Sequence, residues 1–506
     1  MSLIQQEQLK SADLKALVFS KSPAHLALFK KVLNSLGIKK VLLPASVDDV
    51  LTQQLAAQVD IVLLDLVQAD GSMASDWVDQ LVYGQQLNPK QLLLLCSDDP
   101  THLNIRLEYP YHQVAFVPHP LNHSLIEKPI KQFCIYQPAV KAIQSLALLH
   151  RHSDALKLVM FQKQKQHNTE LLLYLQRLHA QILLDTHQLE QVKELIKPAL
   201  QQQKEWALWA QFRMQYEQES PNYCLELLQR PASPLSKFVE RRVSYQLYLL
   251  LVLGQPLDAW QLASRIPANQ QTPRLLRLIH TIAVVTGHLD DAQSLLEKKR
   301  KLFPKGKANL ICNLMEMRAL LFLAHQQAFS AQPVNCDQSR IQQLLEQTQQ
   351  DKSAVIFKLE IALIEADLLR MQGKIAEPLA VLQQLDTEKT PPLMLQIWCH
   401  AAVLAALLKQ PNLCVRFLWL AHCSAYHMVD CSQRIHGLCM LQQTLHLIPS
   451  ALRPIQALAD LAVEQADVWG AAELMYLCLT PTERQQDLTD LLVPLGFKHF
   501  HGIALN

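Results

Sequence analysis

The stretch VDIVLLDLVQADG, residues 59–71, carries four consecutive apolar side chains at 61–64 and then a carboxylate, Asp65. A short apolar run without alternation fits a strand buried on both faces, because a strand wetted on one side would read apolar and polar in turn. Four more runs of this kind lie around it, at residues 16–19, 40–43, 92–95 and 114–117. Helical stretches such as residues 25–36 separate them, the alternation of a parallel sheet with helices on both faces. Residues 14–134 are therefore predicted to be an α/β unit built on a doubly wound five-stranded parallel sheet.

After Gln137 the strand-like runs stop, and helical stretches of about 12–16 residues separated by short breaks continue to the end. The step Tyr136-Gln137-Pro138 marks the joint, so residues 135–139 read as a linker to a helical domain at 140–506. Within that domain a polar turn followed by an apolar helix recurs. Anchored on the first small or apolar core position after each turn, the copies fall at Ala155, Val192, Leu225, Ala259, Ala292, Pro378, Val415 and Ala472. Successive spacings are 37, 33, 34 and 33 residues and then 86, 37 and 57, the longer gaps holding a divergent or inserted hairpin. A period near 34 means helix–turn–helix repeats. Only 11 of 506 residues are Gly, which suits a mostly helical chain because Gly is unfavourable in helices.

Bulk composition removes several function classes. The 47 Lys and Arg against 45 Asp and Glu leave +2, which gives no global electrostatic footprint for nucleic acid or an acidic membrane. Eleven Cys, an odd number without CxxC pairs, fit reduced thiols in the cytoplasm. The N-terminal MSLIQQEQLKSADLK lacks the apolar core of a signal peptide, and no stretch approaches the roughly 18 apolar residues of a membrane span. No GxGxxG, P-loop, HExxH or GxSxG pattern occurs, so the chain is expected not to be an enzyme.

Three other features have bland readings. Cys399, His400, Cys414, His422, Cys423, His427, Cys431, His436 and Cys439 invite a zinc site, but Cys spacings of 15, 9, 8 and 8 lack the paired ligands of zinc modules and suit small residues between helices. The run Glu297-Lys298-Lys299-Arg300-Lys301, continued by Lys305 and Lys307, reads as the solvated end of an outer helix. Trp206, Trp209, Tyr245, Tyr248, Trp398 and Trp419 read as filling between repeats.

With LKALVFSKSP at the first strand, VDIVLLDLVQADG at the third and VAFVPHPLN at the fifth, residues 15–131 resemble the receiver domain of two-component response regulators. The resemblance implies that Asp65 stands where that family accepts a phosphoryl group from a histidine kinase. It also implies an acidic pair at the end of the first strand to hold Mg²⁺, and here that pair is Ser20-Lys21. Neither supplies the oxygens a hard cation prefers, and the Lys21 ammonium would replace the metal electrostatically. The family's Lys-Pro at the end of the fifth strand is His119-Pro120 here. Its hydroxyl at the end of the fourth strand is Ser97, or Cys96 with a slip of one residue, and Phe116 matches its switch aromatic. The expectation is a pseudo-receiver with a degenerate pocket of Ser20, Lys21, Ser97, Phe116 and His119, no cofactor, and Asp65 paired with Lys21 or capping a turn.

The cleanest helical copy spans residues 275–304, where Gly287 supplies the turn, Ala292 permits close approach, Leu296 fills the next layer and Pro304 ends the second helix. It resembles the tetratricopeptide repeat, and that resemblance covers residues 139–480. Most copies lack the repeat's leading aromatic, and Pro378 replaces the usual Ala. Together the two halves resemble bacterial response regulators with a tetratricopeptide-repeat output. This implies a superhelical solenoid with an extended groove. It further implies a cytoplasmic, non-enzymatic adaptor that docks on a histidine kinase or phosphotransfer domain through the receiver-like face and holds a second protein in the solenoid. Two alternatives stay open: a genuine switch on Asp65, with metal held by other acids such as Asp98, and a transcription regulator using the basic run near Lys298. A homodimer is compatible with either architecture.

Overall fold

The computed structural model describes residues 13–20, 22–44, 55–65, 87–88, 90–97, 109–230, 235, 239–267, 273–302, 307–331, 336–387, 395–426, 431–449, 468–479, 484, 488–489, 492–493 and 499–504. All five predicted strands form: β1 (Lys15–Phe19), β2 (Lys40–Leu42), β3 (Ile61–Asp65), β4 (Leu92–Ser97) and β5 (Gln113–Pro118). They make one sheet in the order β2-β1-β3-β4-β5, parallel at every pairing. The pleat sorts their side chains. Ala16, Val18, Ile61, Leu63 and Leu94 meet Phe29, Val32 and Leu33 of the helix Pro23–Ser35 and Ile126, Ile130 and Phe133 of the helix His123–Leu148. Leu17, Phe19, Val62, Leu64, Leu93 and Leu95 share the opposite core with Ala56, Val59, Leu87 and Tyr109. Burying a Leu, Ile, Val or Phe is worth about 1.5–3 kcal/mol. The anchors of the sheet are therefore β3 and β4, buried end to end, and not the largely exposed β2.

Residues 135–139, predicted to be a linker, are instead the middle of the helix His123–Leu148. Pro129 and Pro138 lie inside that helix without ending it, although each lacks the N–H of an interior residue. Packing carries the helix past them: Ile130 and Phe133 lie on the sheet, while Ala139, Val140 and Ile143 lie in a core with Leu175 and Leu178. Tyr111, just before β5, enters this second core. Its hydroxyl donates to Asp185, which also accepts from Arg213 at 2.7 Å and from Gln181 at 3.1 Å. By packing, the chain divides into two compact units, Met1–Glu217 with residues 429–431, and the rest of residues 218–506. The sheet thus belongs with the helices that follow it up to residue 217.

Nineteen helices occur among the described residues. Eight times among the described residues a helix is closed by a residue in the left-handed region, at Gly37, His150, His187, Gln203, Gly254, Gly287, Gly373 and Lys409, with φ between 50° and 83°. In each case the next residue's N–H donates to the carbonyl five residues earlier at 2.8–3.0 Å, a Schellman turn that satisfies the final carbonyls. Six of them fall in pairs 37 apart (150 and 187), 33 apart (254 and 287) and 36 apart (373 and 409), so the sequence recurrence there is a recurrence of turn geometry. All eight predicted anchors are buried near the start of their helices, four of them alanines that let a neighbouring helix approach closely. The 86-residue gap is filled by the helices Lys307–Phe329 and Gln338–Gln349.

In the second unit, C-terminal residues return to its first helices. Arg484, 4% exposed, donates to the carbonyls of Val252 (2.7 Å), Tyr476 (2.9 Å) and Leu479 (3.1 Å) and lies 4.1 Å over the Tyr476 ring. The ribbon His499–Phe500 with Ile503–Ala504 turns at Gly502, where a Cβ would stand 2.6 Å from the Ser220 nitrogen. No described helix is long and apolar enough to cross a membrane.

Candidate functional site

The carboxyl ends of the strands are where an open parallel sheet presents its crevice. At the end of β1, Ser20 Oγ accepts from the Ser22 N–H at 3.0 Å and donates to Asp65 Oδ2 at 2.6 Å. Ser22 then caps the helix Pro23–Ser35, accepting from the His25 N–H, and Pro23 occupies its first turn, where its missing N–H is harmless. This tight strand–cap–helix sequence places His25 over the end of β3, and its Nδ1 donates to Asp65 Oδ2 at 2.6 Å. Asp65 is 1% exposed.

The fifth strand supplies the third neighbour. The His119 N–H donates to the Ser97 carbonyl at 3.0 Å, prolonging the β4–β5 ladder by one bond, so the imidazole follows directly from β5. Its Nε2 stands 3.3 Å from Asp65 Oδ1, at ion-pair distance. That nitrogen is out of line for a hydrogen bond and is buried without a hydrogen-bond partner. The two imidazoles meet edge to face, with centroids 5.0 Å apart and planes at 76°. The ligand atoms of His25, Asp65 and His119 all lie within 4.8 Å of one another.

Of the predicted pocket, Ser20, Asp65, Ser97 and His119 converge at this end of the sheet. Phe116 is half-buried and packs on the core beside Leu95, its partner in register. Lys21 and Asp98 lie outside the described residues. Cys96, beside Asp65 in register, has its thiol pushed far up by burial and then by the Asp65 charge, so it stays protonated and acts as core. Among the described residues, the groups placed against Asp65 are the Ser20 hydroxyl and the His25 and His119 imidazoles. His25 was not anticipated. The available signal was a titratable residue in the first turn of a helix that follows a pocket-lining strand end after only three residues.

No family model, curated protein or solved structure matches this chain.

A second cluster lies in the helical unit. Asp367, fully buried, receives His325 Nε2, His400 Nε2 at 3.0 Å and Arg370 Nε at 2.8 Å, joining the helices Lys307–Phe329, Lys358–Met371 and Leu395–Leu407. Burial alone would raise its pKa, but His325 and His400 overcome this and hold the carboxyl well below the usual range. Burial pulls His325 down, against the attraction of Asp367. Arg370 supplies the countercharge, which makes this cluster an internal tie between helices.

His400 is thus drawn out of the Cys/His stretch into an ion pair. Cys399, Cys414 and Cys439 are buried, burial pushing the first two thiols to about 12, as expected for packing residues. His427 lies outside the described residues. In the basic run Lys298 and Lys301 are exposed, but the expectation of a wholly solvated end needs correction. Lys299 is buried, and Arg300 pairs with Glu316 and Asn313, because every third or fourth residue of that helix faces the core. Lys305 is outside the described residues. Trp209, Tyr245, Tyr248, Trp398 and Trp419 are buried, and Trp206 packs at a core margin.

Proposed function

We propose that this chain is a non-enzymatic signalling adaptor. On this reading a receiver-like domain with a phosphorylation-silent pocket docks on a histidine kinase or phosphotransfer domain, and a tetratricopeptide-like solenoid holds a second protein. The observation that carries it is the surround of Asp65. The carboxylate stands at the end of the central strand, yet among the described residues its near neighbours are Ser20, His25 and His119, where phosphoryl transfer through a hard cation would need carboxylate oxygens. The strand order and the recurrent Schellman turns support the two halves of the reading. The inward Lys299 and Arg300 weaken the transcription-regulator alternative, since Lys299 is buried and Arg300 is engaged with Glu316.

The test is to incubate the full chain with a small phosphodonor, with and without Mg²⁺, and read intact mass, with Asp65→Ala as control. Unchanged mass is expected. A Mg²⁺-dependent gain of one phosphoryl group that Asp65→Ala abolishes would replace the adaptor by a phosphorylation-driven switch.

A further inference from the structure

We infer that His25, Asp65 and His119 form a binding site for a divalent transition-metal ion of the zinc type, and not for Mg²⁺. Two nitrogens and a carboxylate are borderline donors that suit Zn²⁺ and its neighbours, whereas Mg²⁺ requires an oxygen shell. The geometry is close to what such an ion imposes. With metal–ligand bonds of about 2.0–2.1 Å and tetrahedral angles, donor atoms on one ion stand about 3.3 Å apart and the centroids of two bound imidazoles about 5 Å apart. His119 Nε2 lies 3.3 Å from Asp65 Oδ1, and the two ring centroids are 5.0 Å apart. The His25–Asp65 pair, at 2.6 Å, must open by less than about 1 Å.

A second, independent observation points to the same ligand. His119 Nε2 is buried with no hydrogen-bond partner, and an unmet buried polar atom is unfavourable by about 1–3 kcal/mol. A metal bond to that nitrogen removes the deficit. The imidazole rims reach the surface beside the buried ligand atoms, the His25 and His119 side chains being 26% and 13% exposed. The other His–Asp–His cluster is a poorer candidate, because Arg370 already sits on Asp367 at 2.8 Å and its cation opposes a second one. Three protein ligands leave at least one coordination position open to solvent or an anion. This inference stands on local geometry and does not depend on the adaptor reading, so either can fail alone.

The experiment is a titration of metal-stripped full chain with Zn²⁺, Mg²⁺ and Co²⁺. Wild type is expected to bind one equivalent of Zn²⁺ that excess Mg²⁺ does not displace. His25→Ala with His119→Ala is expected to weaken binding by about 100-fold or more, while His325→Ala with His400→Ala leaves it intact. The Co²⁺ form of wild type should show visible ligand-field bands without the intense near-ultraviolet band of thiolate ligation, a readout that needs no variant to fold. Absence of binding, a thiolate band, or equal affinity in wild type and the His25/His119 variant would overturn the assignment.

Discussion

Truncating Tyr111 should uncouple the sheet from the helices that follow it. The ring is 5% exposed and shares its core with Val140, Ile143, Leu175 and Leu178, and truncating a buried aromatic to Ala costs about 3–5 kcal/mol. The hydroxyl adds a smaller share. Asp185 keeps Arg213 at 2.7 Å and Gln181 when the phenol is gone, so Tyr111→Phe should cost only about 1 kcal/mol. A domain's folding free energy is about 5–15 kcal/mol, so Tyr111→Ala removes a large fraction of the first unit's stability and Tyr111→Phe a small one. The assay is hydrogen exchange on the full chain, reading peptides from β3, from His123–Leu148 and from Thr169–Asp185. In wild type the slowest amides of all three should open together. In Tyr111→Ala protection of the two helices should fall by roughly a hundredfold to a few thousandfold, against about fivefold in Tyr111→Phe. Unchanged protection in Tyr111→Ala, or wild-type β3 opening independently of the helix His123–Leu148, would refute a rigid joint and restore the expected linker.

Two further outcomes follow from the helical unit. Lys409 is an exposed residue held at φ 55° in a Schellman turn, whereas Gly287 occupies the equivalent place at φ 80° with open space around a would-be Cβ. Lys409→Gly should therefore stabilise the flanking helices by up to about 1 kcal/mol and Gly287→Ala destabilise its own by about 1–2 kcal/mol, read as local exchange protection; effects of the same sign would contradict the turn assignment. His280, 5% exposed, is pulled from 6.5 to about 4 by burial, reinforced by Arg318 and opposed by Glu316. The unfolded chain takes up a proton below pH 6.5 that the folded chain refuses until about pH 4. Its contribution is therefore full above pH 6.5 and declines by about 1.4 kcal/mol per pH unit below it, reaching about 2 kcal/mol at pH 5. Denaturant unfolding of wild type and His280→Gln at pH 8 and pH 5 should show the gap between them shift by that amount in favour of the variant, and a pH-independent gap would count against it.

The legible parts of the fold are those that a period encodes. Four-residue apolar runs marked every strand to within two residues, because β3 and β4 are buried on both faces and have no polar positions to break the pattern. The helical repeat was readable because each copy needs a left-handed turn residue followed by a small core residue, as Gly287 and Ala292 show. The joint was not readable, since Pro138 argues locally for a break, and only the burial of Ala139, Val140 and Ile143 against later helices overrides it. The site was half readable. Strand-end residues Ser20, Asp65 and His119 follow from the sheet, but His25 reaches Asp65 from 40 residues away through a helix cap whose direction no spacing rule specifies.

The residues at the strand ends also constrain one another. A buried carboxylate short of positive or donating partners is a costly arrangement. Ser20 and His25 meet that need on Oδ2, while His119 stands opposite Oδ1. Among the described residues the donors around Asp65 are thus a hydroxyl and imidazole nitrogens, not the oxygen shell of a hard cation. The choice between Mg²⁺ and Zn²⁺ reads this donor set directly: a pocket that prefers Mg²⁺ must complete an oxygen shell with other residues, and one that prefers Zn²⁺ uses the two imidazoles.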